Sequence, residues 1–236
     1  MCTSQINLSL IDIYMKKDSK TIVVYGQRRS GTSLLSGILY HLGINMGDGA
    51  EPTQTSRTNP TGFFEDRSII EVSERILRYM KTMTGRLQVA QFKEIFEILD
   101  NEFGDQIKKA IDNRGEDTWG FKDVNQVVLH PVYKKYLTNP HYIVIFRNPL
   151  AIAQSMQHWH TKNTLTRMCA AVKDETARMM NFIINETDPM LLLTYEESFR
   201  DKEEFIEKII TFLKIKPTDE QRKKAMSLIN IKYCHF

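Results

Sequence analysis

The stretch TIVVYGQRRSGTSLLSGILYHLG, from Thr21 to Gly43, constrains the fold more than any other part of the chain. Its opening residues form a short, β-branched apolar run ending at Gly26, the composition of a buried strand. After a polar turn, Leu34, Leu35, Ile38, Leu39 and Leu42 recur at helical spacing, and Gly43 stops the pattern. Strand, glycine-bounded loop and helix in this order aim backbone N–H groups at one point, and the helix start adds roughly half a unit of positive charge. Such a junction binds an anion. Gly26, Gly31 and Ser33 fit the phosphate-loop pattern G-x-x-x-x-G-K-[ST], yet its lysine position holds Thr32, while Arg29 lies two residues before Gly31.

Alternation of strands and helices continues downstream. INMGDG reads as a second, shorter strand, and the Pro-, Thr- and Asn-rich segment from Glu51 to Gly62 as a loop or flap. A helix from Asp66 to about Met80 carries Ile69, Val72, Ile76 and Met80 on one face. Another, from Phe92 to about Ile111, carries Ile95, Phe96, Leu99, Phe103 and Ile107, with Gly104 as a point of interruption. TWGFK (Thr118 to Lys122) is a strand, a short helix lies near Pro131 to Leu137, and YIVIF (Tyr142 to Phe146) is the clearest buried strand. Helices from Pro149 to about Trp159 and from Thr166 to Ile184 follow. MLLLTY (Met190 to Tyr195) is a last buried strand, before helices Glu203 to Leu213 and Asp219 to Leu228. Met179 and Met180 fall on a helical core stripe, and Arg222, Lys223 and Lys224 on a solvated face. The implied fold is α/β, a P-loop-containing nucleotide-binding fold with a central parallel sheet flanked by helices and ligands at the carboxyl ends of its strands. We expect one domain over residues 1–236, with 1–18 as a flexible N-terminal segment.

Composition narrows the function classes. A net charge of +3 is too small for wholesale nucleic-acid binding but suits a site for a small polyanion. Cys2, Cys169 and Cys234 are odd in number and far apart, matching neither a disulfide framework nor a zinc spacing, so a cytoplasmic location is expected. The N-terminal residues lack a basic leader with a continuous apolar centre, and no run is long enough to span a membrane.

In magnesium-dependent nucleotide triphosphatases the loop lysine reaches the terminal phosphates, and an acid at the end of a buried strand helps to hold the metal. Here the loop lysine is missing and YIVIF ends in Arg147, a cation that repels magnesium. A donor that needs no metal and carries a second phosphate for Arg147 accounts for both features, so a kinase-type phosphotransferase is the lesser reading. RRSGTS resembles the 5′-phosphosulfate loop, written [PY]-[KR]-S-G-T-[TS], of sulfotransferases that use 3′-phosphoadenosine 5′-phosphosulfate (PAPS). FRNPLAIAQS resembles the 3′-phosphate motif of the same family, with Arg147 and Ser155 at its spacing. NPTGFFED and WGFKD look like segments of bacterial members, and LLLTYEE resembles the family's late strand, so the likeness spans about Thr21 to Phe199.

The resemblance implies that Arg28, Arg29, Ser30, Gly31, Thr32 and Ser33 cradle the 5′-phosphosulfate, that Arg147 and Ser155 hold the 3′-phosphate, and that Tyr195 lies beside the adenine. Tyr195 equally suits a core strand end. The resemblance further implies sulfuryl transfer to a hydroxyl or amine with adenosine 3′,5′-bisphosphate (PAP) as product and without a metal. Arg29 and Lys122 would stabilise charge on the leaving oxygen. For the general base Glu65 is the first choice, with Asp66 and Asp123 behind it, although acids at a helix start also serve as caps. Asp123 alternatively orients a neighbouring cation. The Lys-x-His pair of cytosolic animal members is reduced to Lys122, since Val124 replaces the histidine. Arg28 stands where many members have proline, and the C-terminal glycine-rich basic motif that helps to bind the 3′-phosphate in cytosolic animal members is missing, because no glycine follows Gly120. Phe63, Phe64, His158, Trp159 and His160 are candidates to line a pocket for a small-molecule, glycan or glycolipid acceptor. A nucleotide-binding module of the same fold that has lost turnover is the remaining alternative.

Overall fold

The apolar run at the head of the phosphate loop is β1 (Lys20–Tyr25), buried along nearly its whole length at the centre of the sheet. The computed structural model describes residues 19–50, 62–83, 92–112, 114, 118–159 and 163–230, apart from the side chains of Phe92, Lys93 and Trp159. Of the features anticipated above, the segment 1–18, the flap before Gly62, His160, Cys2, Cys234 and the Trp159 side chain lie outside the described residues. The loop after β1 enters α1 (Thr32–His41), which is followed by α2 (Arg67–Met83), α3 (Phe92–Asp112), β2 (Thr118–Lys122) and α4 (Gln126–Tyr133). Next come a 3₁₀ turn (Lys134–Tyr136), β3 (Pro140–Phe146), α5 (Pro149–Trp159), α6 (Leu165–Asn185) and β4 (Met190–Thr194). The short α7 (Glu197–Arg200), α8 (Lys202–Leu213) and α9 (Asp219–Ser227) complete the described part.

All pairings are parallel, in the order β2-β1-β3-β4. Because successive side chains of a strand point to opposite faces, β1 serves two cores. Ile22 and Val24, with Ile143, Ile145 and Leu193, pack under α1, α8 and α9. Val23 and Tyr25, with Tyr142, Val144, Trp119 and Phe121, pack under α2, α3 and α4. In α1, Leu35, Ile38 and Leu39 are fully buried, and at about 2 kcal/mol for each such side chain they anchor the far end of the phosphate loop.

Several local expectations give way to tertiary contacts. INMGDG forms no strand, only an isolated bridge from Asn45 to Trp119, because Gly47 and Gly49 take positive φ and break the pleat. Gly104 does not interrupt α3; a Cβ there would lie 2.3 Å from the Tyr136 hydroxyl, so the glycine admits a close approach. The short helix begins earlier than its proline suggests and includes Pro131, since Val127, Leu129, His130, Val132 and Tyr133 are all buried by its packing. β4 is the outer strand of the sheet: Leu193 is buried, but Leu192 is 51% exposed because only β3 flanks it. On α6, Met179 faces the core while Met180 is exposed. Arg222 and Lys224 form surface ion pairs with Glu207 and Glu220. Among the described residues no helix is long and apolar enough to cross a membrane.

Candidate active site

From β1 the chain crosses to β2 on one side, and β3 then lies on the other, so a crevice opens over the carboxyl ends of β1 and β3. Both cationic motifs meet there. After Tyr25 the loop turns tightly: a Cβ on Gly26 would lie 2.9 Å from the Ile145 carbonyl oxygen, Ser30 Oγ and Thr32 Cγ2. Arg29 (φ 68°) and Gly31 (φ 100°) adopt left-handed conformations on either side of Ser30, bending the backbone into a cradle. Ser30 is fully buried, and its hydroxyl donates to the Gln27 carbonyl at 2.7 Å, so the side chain shapes the turn. Thr32 opens α1 and is buried, whereas Ser33 faces Lys122, whose Nζ lies 3.5 Å from Ser33 Oγ.

Arg147, at the end of β3, is buried; it donates from Nη1 to the Arg29 carbonyl at 2.9 Å and lies 4.6 Å over the Tyr195 ring. Arg29 Nε donates to Ser155 Oγ on α5 at 2.9 Å, across 126 residues of sequence. Burial and the neighbouring Arg147 charge lower the Arg29 pKa, as expected for two guanidinium groups converging on one spot. Gly31 has no side chain because Tyr195 fills the space: a Cβ there would lie 2.3 Å from Tyr195 Cδ2. Tyr195 therefore braces both the loop and Arg147. Arg29, Arg147 and Ser155, expected to hold opposite ends of the donor, thus form one cluster with Tyr195, with the Arg29 side chain on the Ser155 side. Backbone amides, two guanidiniums and a hydroxyl are a donor set that fits a bisphosphorylated nucleotide.

Lys122 ends β2, 2% exposed, with Nζ 2.5 Å from Glu65 Oε1 and 5.9 Å from the centre of the Phe63 ring. Burial lowers the Lys122 pKa, while Glu65 and Asp123 oppose the shift. The two adjacent acids separate. Asp66 is fully buried: it accepts from Ser68 Oγ and Ile69 N–H at the start of α2 and pairs with Arg114. It caps a helix and is removed as a base. Asp123 is likewise engaged, accepting from Asn125 N–H at 2.8 Å, and burial raises its pKa. No described cation pairs directly with it, so it orders the entrance to α4. Glu65 alone of the three is partly exposed beside Lys122. Phe64 is buried against Tyr40 and lines the core, and His158 is exposed in the last turn of α5. Arg28 is exposed and donates to Asn125 Oδ1 at 2.9 Å.

Contributors missed from sequence include Asn148, whose Oδ1 accepts the Leu150 and Ala151 N–H groups and so fixes α5 beside Arg147. The Asn-Pro pair preceding α5 was its signal, an N-cap followed by proline at the first helical position. Gln27, whose Nε2 donates to Thr176 Oγ1 on α6 at 3.2 Å, carried no local signal.

A model described as the sulfotransferase family matches residues 21–220. Among solved structures, the fold is similar to sulfotransferase STF1 from Mycobacterium tuberculosis H37Rv, at 14% identity and a TM-score of 0.53, over 94% of this chain and 75% of that one. Sulfotransferase STF9 from Mycobacterium avium is similar at 13% identity and 0.52, over 94% and 71%. Mouse sulfotransferase SULT7A1, solved in complex with PAP, is similar at 15% and 0.50, over 93% and 68%. At such identities the likeness is one of fold. No curated protein matches the chain in sequence.

Proposed function

The chain belongs to the sulfotransferase family and is an enzyme that takes its sulfuryl group from PAPS, and on that premise we propose how its residues divide the work. The phosphate loop, Arg28 to Ser33, holds the 5′-phosphosulfate, and Arg147 with Ser155 holds the 3′-phosphate beside Tyr195. The observation that carries this reading is the pair of bonds from Arg147 to the Arg29 carbonyl and from Arg29 to Ser155, which joins two distant motifs into one cationic surface. When bound, PAPS supplies the sulfuryl group and leaves as PAP. Arg29, Thr32 and Lys122 stabilise the negative charge that grows on the leaving oxygen, and the loop amides hold the group in line. Glu65 takes the proton of the acceptor hydroxyl or amine. Its ion pair with Lys122 holds the carboxylate at the loop, and the buried lysine keeps one donor for the transferred group.

The guanidinium of Arg147 at the carboxyl end of β3, where a magnesium-holding acid would stand, supports metal-independent transfer over kinase chemistry. Phe63, over Lys122, supports an acceptor with an apolar face: a small molecule, a glycan or a glycolipid. The shared sheet under both cores supports one sulfotransferase domain, and the exposed, unpaired Cys169 thiol supports a reducing, cytoplasmic setting.

Thermal unfolding with PAP, ADP and ATP, each with and without magnesium, tests the donor assignment, since a ligand that binds the folded state stabilises it by about 2.7 kcal/mol at a hundred times its Kd. PAP without metal is expected to raise Tm most. Stabilisation by ATP only with magnesium would favour the kinase reading instead.

A further inference from the structure

Along one face of α6, Arg178, Asn181, Phe182 and Asn185 follow one another at i, i+3, i+4 and i+7, and only Phe182 is apolar. These side chains do not seal α6 against α4. A cavity of about 460 Å³ remains between the two helices, within the size range of small-ligand sites. Tyr25, Phe96 and Phe182 give it an aromatic wall, in which Tyr25 stacks on Phe182 with ring centres 4.1 Å apart. None of the residues assigned to the donor, Arg28 to Ser33, Arg147, Ser155 and Tyr195, lines this space, and neither do Lys122 and Glu65.

The polar groups of the cavity are unequally engaged. Lys134 is held by Glu186 at 2.5 Å and by Asp188 at 3.3 Å, and Glu186 also faces His130 Nε2 at 3.4 Å. Arg178 is exposed at the rim and has no ion pair among the described residues, Glu175 one turn before it included. It is the cation left over, and Glu186 lies eight residues further along, about 12 Å at the rise of a helix. Tyr25 is 1% exposed, yet its hydroxyl has no hydrogen-bond partner among the described residues, and the buried His130 Nδ1 has none either. Burial raises the Tyr25 pKa against the opposing Arg178 charge, so the hydroxyl stays protonated as a donor. Buried polar groups are rarely left without partners. We propose that the cavity between α4 and α6 is a second ligand site, separate from the donor crevice, for an aromatic carboxylate: Phe96, Tyr25 and Phe182 take its planar rings, and Arg178 with the Asn181 amide takes its carboxylate. The planar guanidinium matches a carboxylate in two-point contact. An occupant would rest against the last residue of β1, directly before Gly26.

Calorimetric titration of 2-naphthoate into protein saturated with PAP tests the site; this ligand has no hydroxyl or amine to receive a sulfuryl group. One equivalent should bind with a Kd of about 1 mM or below, the level expected of a ligand of that size. Methyl 2-naphthoate, with the same rings and no charge, should bind about tenfold more weakly, the usual size for a hydrogen bond to a charged group. Arg178→Ala should weaken 2-naphthoate by a similar factor, and Arg178→Lys should recover part of the loss. Asn181→Trp, at an exposed position on the rim, should abolish binding by filling the space, with Tm near that of the wild type; if it unfolds, Val128→Trp fills the same space from α4. Phe63→Ala, beside Lys122, should bind 2-naphthoate as the wild type does. No binding by the wild type, equal binding of acid and ester, undiminished binding by Arg178→Ala or by the tryptophan variant, loss of binding in Phe63→Ala, or exclusion of 2-naphthoate by PAP would each overturn the proposal. Absence of PAP binding by the wild type would overturn the donor reading alone, and the same titrations without PAP would still decide the second site.

Discussion

Replacing Arg147 by alanine separates the 3′-phosphate assignment from a general role in holding the loop together. Its guanidinium is buried, donates to the Arg29 carbonyl and lies over Tyr195, and its planar fork of N–H donors matches the geometry of a phosphate. Leaving a desolvated phosphate without its partner costs about 3 kcal/mol, or roughly a hundredfold in Kd. Loss of the carbonyl bond costs about 1 kcal/mol of folding stability and loss of the cation–π contact about another. The assay is isothermal titration of PAP and of AMP, which lacks the 3′-phosphate, into wild type, Arg147→Ala and Arg147→Lys, with urea unfolding of each protein. Wild type should prefer PAP strongly; Arg147→Ala should lose about a hundredfold for PAP with little change for AMP. Lysine should recover part of the loss, because it restores charge without the planar fork. Equal weakening of both nucleotides would mean that Arg147 only holds the loop, and the assignment of the two ends would be refuted.

Glu65→Gln should lower kcat by about two orders of magnitude while PAP affinity stays near wild type, measured by labelled sulfuryl transfer; unchanged turnover would remove Glu65 as the base. Gly31→Ala should destabilise the fold by about 2 kcal/mol and abolish PAP binding, because φ is 100° and the new Cβ meets the Tyr195 ring. Adding Tyr195→Ala should relieve the clash but not the backbone strain, which urea midpoints of the two variants would reveal. Burial holds the His130 imidazole at about 4, below its usual 6.5, so the unfolded chain binds more protons in that window. Stability should therefore fall by up to about 3 kcal/mol as pH drops from 6.5 to 4, and urea unfolding of His130→Phe should show a shallower decline; an identical slope would refute it.

Local patterning carries the first half of this protein's account. A strand buried on both faces, a loop with glycines at the tight turn and the left-handed residue, and a helix with its apolar stripe are all decided within a few residues of one another, where local composition, periodicity and steric limits act. The arginine after β3 and the serine on the following helix are likewise readable, since strand end and helix turn fix their separation. Which side chains meet across the sheet is another matter. Glu65 and Asp66 are neighbours with the same chemistry, and only packing turns one onto Lys122 and the other into a cap with Arg114. Arg29 joins Ser155, and Thr176 holds Gln27, because the strand order sets β1 beside β3 and lays α6 against the loop. Side-chain contacts between residues so far apart depend on the order in which strands assemble, and no local pattern of polarity encodes that order.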